Sequence, residues 1–212
     1  MSDAVPALKS VRFDAATHTY FDDDGKPVPS VTQVLNRSGL FTEMALYASV
    51  PQETREAALK LGTAVHWLLE LSDQKALPKR IDPALRGYRK AWRTWKKASG
   101  FVITGIERQF ISSLGYAGTA DRIGYFKPLA KLPVVLDFKT GTSIPKYVSI
   151  QLAAYARGLL PNGWYARRIA FQPYADGTYS LKEYPIPSLS VDFAKFTEAL
   201  RKMKENNDNG SK

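Results

Sequence analysis

The stretch Val134-Val135-Leu136-Asp137-Phe138-Lys139-Thr140-Gly141 holds the residue types best suited to chemistry. A short apolar run delivers a carboxylate and an ammonium two residues apart, then stops at a glycine. On a strand, side chains alternate, so Asp137 and Lys139 share one face and Phe138 takes the other. Two charges held at the end of a buried strand are costly for folding alone. They make sense where a metal ion and a phosphate must meet.

Other residues elsewhere in the chain have the chemistry to complete such a site. Gly118-Thr119-Ala120-Asp121 places an acid inside a small-residue strand, and Glu107 lies in the strand before it. Gly62-Thr63-Ala64-Val65-His66 sits in a helical pattern with Glu70 one turn further on the same face. A glycine inside a helix costs about 1 kcal/mol relative to alanine, which points to close packing there. Taken alone, His66 is more often a hydrogen-bonded structural residue than a ligand. Gln151 and Tyr155 are one turn apart on a later helix and share its face.

The elements that must position these residues can be read in order. Residues 11–29 read as a hairpin turning at Asp22-Asp23-Asp24-Gly25. That acidic run lacks the later ligands of a calcium-binding loop, so it reads as a solvated turn. Ser30 and Gln33 have the spacing of a capping box at a helix start. A helical pattern runs from Thr42 to Leu71, interrupted near Pro51, with Leu59, Ala64, Val65, Leu68 and Leu69 toward a core. Another helix spans Pro83 to Phe101, capped by Asp82 and stopped by Gly100. It carries an apolar stripe, Leu85, Tyr88, Trp92 and Trp95, and a basic stripe, Arg86, Lys90, Arg93 and Lys97. The aromatics read most simply as core. Interleaved with the basic residues, Trp92 and Trp95 also suit a nucleic-acid-binding path along which bases stack.

Strands follow at Phe101–Ile111, Tyr116–Phe126 and Leu132–Phe138, with Leu114-Gly115 as a tight turn. A helix from Lys146 to about Gly158, strands at Ala166–Tyr174 and Thr178–Tyr184 around Asp176-Gly177, and a helix from Leu189 to Lys204 complete the order. Residues 205–212 read as a frayed polar tail. No repeat or low-complexity linker divides the chain, so one compact domain over 1–212 is expected: a hairpin and helical region to residue 100, then core sheet and helices over 101–204.

Composition bounds the function. The 212 residues are 44% hydrophobic, enough for a full core and wrong for a disordered chain. There is no cysteine, which excludes disulfides, zinc–thiolate sites and iron–sulfur clusters and fits a reducing compartment. No apolar run has membrane-spanning length and Met1–Ser10 has no secretion signal's apolar core, so a cytoplasmic location is expected, with no membrane partner. The formal net charge of +10 suggests a polyanionic partner, nucleic acid before an anionic surface, although many soluble proteins are basic for no specific reason.

With these pieces placed, the chain resembles a RecB-like nuclease of the PD-(D/E)XK superfamily. The matching segments are Gly62–His66, Gly118–Asp121, Asp137-Phe138-Lys139 and Gln151-Leu152-Ala153-Ala154-Tyr155, in the family's order over roughly residues 62 to 155. The opening hairpin with Pro29-Ser30-Val31-Thr32 resembles the N-terminal region of phage-type exonucleases in this group. The resemblance implies an α/β fold with a restriction-endonuclease-like core, a central mixed sheet flanked by helices. It implies Mg2+ or Mn2+ held by Asp121, Asp137, the backbone carbonyl of Phe138 and a nitrogen of His66. Lys139 would orient the attacking water and offset charge rather than abstract a proton, and Gln151 and Tyr155 would position the lysine or the DNA backbone. Glu107 resembles a first-strand acid of some relatives, or else is a surface charge.

The implied reaction is hydrolysis of DNA phosphodiesters, at ends and with a possible preference for single strands, in recombination, repair or phage replication alongside protein partners of those processes. Iron–sulfur relatives use cysteines that this chain lacks, which points to the cluster-free exonucleases. A structure- or sequence-specific endonuclease on the same core, and a non-catalytic DNA-binding accessory module, are the alternatives. The set Asp121, Asp137 and Lys139 argues against the last.

Overall fold

A computed structural model describes residues 11–39, 49–127, 132–160 and 163–209. The chain opens with a three-stranded antiparallel meander, β1 (Arg12–Asp14), β2 (Thr19–Phe21) and β3 (Pro27–Val28). The expected hairpin gains its third strand because the acidic turn reverses the chain sharply. The Asp22 carboxylate accepts from the amides of Asp24 (3.1 Å) and Lys26 (2.8 Å), and Gly25 adopts a left-handed φ of 76°. Helix α1 (Val31–Arg37) begins at the anticipated capping box, with Ser30 Oγ accepting from Gln33 N and the Gln33 side chain accepting from Ser30 N.

Helix α2 (Gln52–Asp73) follows Pro51; the predicted helical residues 42–48 lie outside the described residues. Val65, Leu68 and Leu69 are buried as expected, but Leu59 is 62% exposed. Residues 51–60 are almost all exposed, so the apolar stripe of α2 meets the core only in its second half. A 3-10 turn (Pro83–Leu85) capped by Asp82 leads into α3 (Arg86–Ser99), which Gly100 ends at φ 69°.

The central sheet runs β4 (Phe101–Ser112), β5 (Tyr116–Phe126), β6 (Val134–Phe138), β7 (Arg167–Pro173) and β8 (Tyr179–Tyr184), in that spatial order. Only β6 and β7 are parallel. A parallel pair needs a crossover, and α4 (Val148–Leu159) supplies it. Pro133 has no amide to donate, and β6 starts at Val134, two residues after the expected Leu132. All five residues of β6 are buried because helices cover both faces of the sheet. Val135 joins Phe110, Tyr116, Leu152 and Phe196 beneath α1, α4 and α5. Val134, Leu136 and Phe138 join Val65, Trp92 and Phe171 beneath α2 and α3. The expected mixed sheet flanked by helices is therefore the observed architecture.

Two features seat the rest. Helix α5 (Leu189–Asn209) runs past the expected end at Lys204, since neither glycine nor proline interrupts it before Gly210 and Arg201 pairs with Glu205 one turn on. The meander docks on β5: Pro29 O accepts from Ala117 N (2.9 Å), and the Tyr20 hydroxyl shares a 2.7 Å hydrogen bond with Thr119 Oγ1.

Candidate active site

The site lies in a fork. β5 and β6 pair from Gly124↔Val134 to Arg122↔Leu136 and then part. The Asp121 carboxylate fills the gap, accepting the Phe138 N–H at 2.6 Å where a ladder bond would otherwise form. β6 stays joined to β7 on its other side, with Lys139 N donating to Phe171 O at 2.9 Å. The Phe138 ring turns into the core beneath α3, leaving only its backbone beside the carboxylates.

Asp137 and Lys139 do share a face. Lys139 Nζ lies 2.6 Å from Asp137 Oδ2 and donates to Gln151 Oε1 at 3.0 Å, and Gln151 Nε2 donates to the Tyr155 hydroxyl at 2.9 Å. Helix α4 reaches the strands this closely because Gly118 has no side chain. A Cβ there would stand 2.8 Å from Tyr155 Cε1 and 3.0 Å from Phe110 Cε1. From the opposite side α2 brings His66, whose Nδ1 is 3.5 Å from Asp121 Oδ1 and whose ring meets Phe138 edge-on. Gly62, one turn earlier, passes Thr140 so closely that a Cβ would sit 3.1 Å from its hydroxyl.

Glu107 also belongs to this place. It stands across from Asp121 between the pairs Ile106↔Arg122 and Arg108↔Ala120, with a left-handed φ of 46°. A non-glycine residue held there costs on the order of 1–3 kcal/mol, and such outliers cluster at functional sites. His66, Glu70, Glu107, Asp121, Asp137, Lys139, Gln151 and Tyr155 thus line one cavity of about 460 Å³.

Electrostatics couple these groups. Burial raises the Asp137 carboxyl, and the neighbouring Asp121 charge adds to that against the pull of Lys139. Burial works the other way on Lys139, but Asp137 outweighs it and holds the ammonium protonated. Burial likewise opposes a charged His66, yet Asp121 prevails and lifts its pKa to about 9; the same pairing keeps Asp121 ionised despite its burial. Burial and Asp121 push Glu107 up to about 7. The Tyr155 hydroxyl is held well above its ordinary value by burial and the two aspartates.

Asp121 and Asp137, 6% and 4% exposed, give a hard cation two carboxylates facing one cavity. Among the described residues no three His, Cys, Asp or Glu side chains stand together as a ready cage. That donor set fits magnesium or manganese, which settle for one or two carboxylates and take their remaining oxygens from water and phosphate.

Sequence reasoning missed two parts. The meander forms one wall of the cavity through Phe13, His18 and Tyr20, so the opening strands are part of the site rather than a separate region. The chain's two histidines, met far apart in sequence, line the same space. Behind the site, Arg122 is fully buried. Its Nε donates to Asp73 Oδ2 (2.8 Å), its Nη1 to Glu107 Oε1 (3.1 Å), and its guanidinium lies over the Phe138 ring. Asp73 also accepts from Trp92 Nε1 and Lys96 Nζ. The adjacency of Asp121 and Arg122 was the available signal, since a buried carboxylate strand seldom carries an arginine without a partner.

The tryptophan reading needs correction. Trp92 is 0% and Trp95 7% exposed, stacked on each other in the core, so neither ring is open to a base. The basic stripe stands apart from them. Arg86, Arg89, Lys90, Arg93, Lys96 and Lys97 line a separate groove of about 870 Å³ between α3 and Phe101–Ile103 of β4. Helix α3 carries no acid to offset them.

No protein-family model matches the chain, and no curated protein matches its sequence. Among solved structures it is similar to an alkaline exonuclease from Laribacter hongkongensis. The identity is 10% and the TM-score 0.39, over 86% of this chain and 92% of that one. A structure of that exonuclease in complex with dAMP aligns at 8% identity and a TM-score of 0.32, over 87% and 93%. Similarity this distant assigns no activity. Among the described residues no helix is long and apolar enough to cross a membrane.

Proposed function

We propose that this protein is a metal-dependent deoxyribonuclease of the PD-(D/E)XK type that hydrolyses DNA phosphodiesters, at ends in preference to internal sites. One observation carries the reading: the β5–β6 fork gathers two buried carboxylates, a protonated lysine and a histidine into one cavity beside Gln151 and Tyr155. A binding module has no use for that cluster, whose burial opposes folding. The cavity is walled by the meander on one side and α2 on the other, which supports entry by a chain end.

Asp121, Asp137 and the Phe138 carbonyl would hold Mg2+ or Mn2+, with His66 joining when it gives up its proton. When bound, such a cation supplies Lewis acidity that acidifies water and offsets phosphate charge. Lys139, kept charged by Asp137, stabilises negative charge on the phosphate and orients the nucleophile; a base would need a lowered pKa. Gln151 fixes the lysine's Nζ, and Tyr155 fixes Gln151. Glu107 is proposed as a third acid at the edge of the site, held by Arg122. The α3 groove would hold the DNA backbone beyond the cleavage point. Val102 and Glu107 are five residues apart on β4, about 17 Å at ~3.3 Å per residue. That is roughly five nucleotide steps of a duplex strand.

End-labelled linear and closed circular DNA, single- and double-stranded, incubated with Mn2+, Mg2+ or EDTA, test the proposal. Metal-dependent loss of linear but not circular DNA is expected. Cutting of circles would replace the exonuclease with an endonuclease, and inertness toward every substrate would overturn the enzyme reading.

A further inference from the structure

The cavity mouth carries aromatic rings of its own. Phe13 and His18 meet edge-on at 5.1 Å between centroids, and Phe13 leans on Tyr20 at 4.7 Å. All three line the cavity that holds Asp121 and Asp137. Tyr20 is buried and fixed through its hydroxyl to Thr119, two residues before Asp121. His18 is exposed. The turn that presents it is locked, with Asp14 Oδ1 accepting from Ala16 N (2.9 Å) and Asp14 Oδ2 from Thr17 Oγ1 (2.8 Å). His18 itself holds a left-handed φ of 52°, a conformation that non-glycine residues keep where surroundings over-determine it, often at ligand sites.

We infer that Phe13 and His18 form a stacking seat for the nucleobase next to the phosphate that Lys139 would hold beside Asp121 and Asp137. The inference rests on the nuclease reading above and names what that site recognises besides phosphate. Every base has a π-face, so such a seat tolerates any sequence while distinguishing a nucleotide chain from a bare phosphodiester backbone. The cavity, about 460 Å³, falls in the range of small-ligand sites and has room for a nucleotide unit. Phe13 also packs against the small core cluster of Tyr20, Ile111 and Ala117. The exposed His18 meets the rings of Phe13 and Tyr20 only edge-on.

The test compares a 12-nucleotide oligothymidylate with an abasic phosphodiester of equal length, bound to the full chain in EDTA. Wild type should prefer the thymidylate by at least about fivefold. Phe13→Leu with His18→Asn should cut that preference at least about threefold and leave abasic affinity unchanged. Leucine keeps the apolar contact, and asparagine tolerates the left-handed backbone. His18→Asn alone, on an exposed turn, serves if the pair fails to fold. Equal wild-type affinity for the two ligands, or an unchanged ratio in the variants, overturns the seat. Hydrolysis of both oligomers with Mn2+ separates the two ideas. Cleavage without base preference keeps the nuclease and removes the seat. Base preference without cleavage of either does the reverse.

Discussion

The carboxylate cavity and the α3 groove share two elements, α2 and β4, yet solve opposite electrostatic problems. In the cavity the central charges are paired within a few ångströms: Lys139 with Asp137, His66 with Asp121, Arg122 with Glu107. Its geometry is set before any ligand arrives. In the groove the cations face one another. Arg89 has its pKa lowered by burial and by Arg93, and the adjoining acid, Asp73, is buried and committed to Arg122, Trp92 and Lys96. A preorganised cluster of mixed charge suits chemistry at one phosphate. A row of one sign, offset at Lys96 by Asp73, suits a polyanion held along its length. The two regions should therefore separate experimentally, one governing turnover and the other affinity.

The sharpest break is Asp137→Ala. Loss of a metal carboxylate should lower kcat/KM on the order of 10³-fold or more, equivalent to about 4 kcal/mol. DNA affinity in EDTA should stay within about threefold, as filter binding would show, because the groove is untouched. A comparable loss of binding would merge the two regions.

Arg122 is the strut between them. Arg122→Met keeps an apolar stem but removes the cation from Asp73, Glu107 and the Phe138 ring. Breaking a buried pair in this way should cost about 3 kcal/mol in urea unfolding, more than any groove substitution. A change below about 1 kcal/mol would show that Lys96 and Trp92 suffice for Asp73. Mn2+ should act on the cavity alone. At 100 times its Kd it should stabilise the wild type by about 2.7 kcal/mol, read as a thermal shift that Asp137→Ala abolishes and groove variants keep.

The contrast also explains what could be read from the chain. Asp137 and Lys139 were legible because strand alternation is rigid, and Gln151 and Tyr155 because helical spacing is. Their convergence was implied by the resemblance of the motifs taken in order. The fork itself was not legible: Asp121 replaces a ladder bond with its own carboxylate, and no periodicity encodes that. The meander's place in the site rests on long-range contacts, Tyr20 to Thr119 and Pro29 to Ala117, that leave no local trace. Trp92 and Trp95 fit two patterns at once, core stripe and stacking path, and packing chose the first. Leu59 showed the converse, an apolar residue at the right helical spacing that stays 62% exposed among the described residues.

Tyr155→Phe tests how far the cavity's order extends. The hydroxyl accepts from Gln151 Nε2, and Gln151 in turn holds Lys139, so its removal frees the amide to rotate. Outer-shell partners of this kind typically contribute 10- to 100-fold, and a kcat lower by about tenfold with KM unchanged is expected. A rise in KM instead would place Tyr155 on the substrate rather than behind the lysine.

The mildest change belongs to the groove. Arg93 and Lys97 are exposed and lie a turn apart on α3. Arg93→Gln with Lys97→Gln removes two phosphate contacts if the DNA backbone runs there. Each contact contributes about 0.7–0.9 to the slope of log K against log salt, so the slope should fall by about 1.5 for a 20-nucleotide substrate. A substrate too short to span the roughly five steps between cavity and groove should show no change, and kcat should be unaffected for either. An equal loss on short and long substrates would mean that these cations act on the cavity's field from a distance. In that case the two regions form one electrostatic unit.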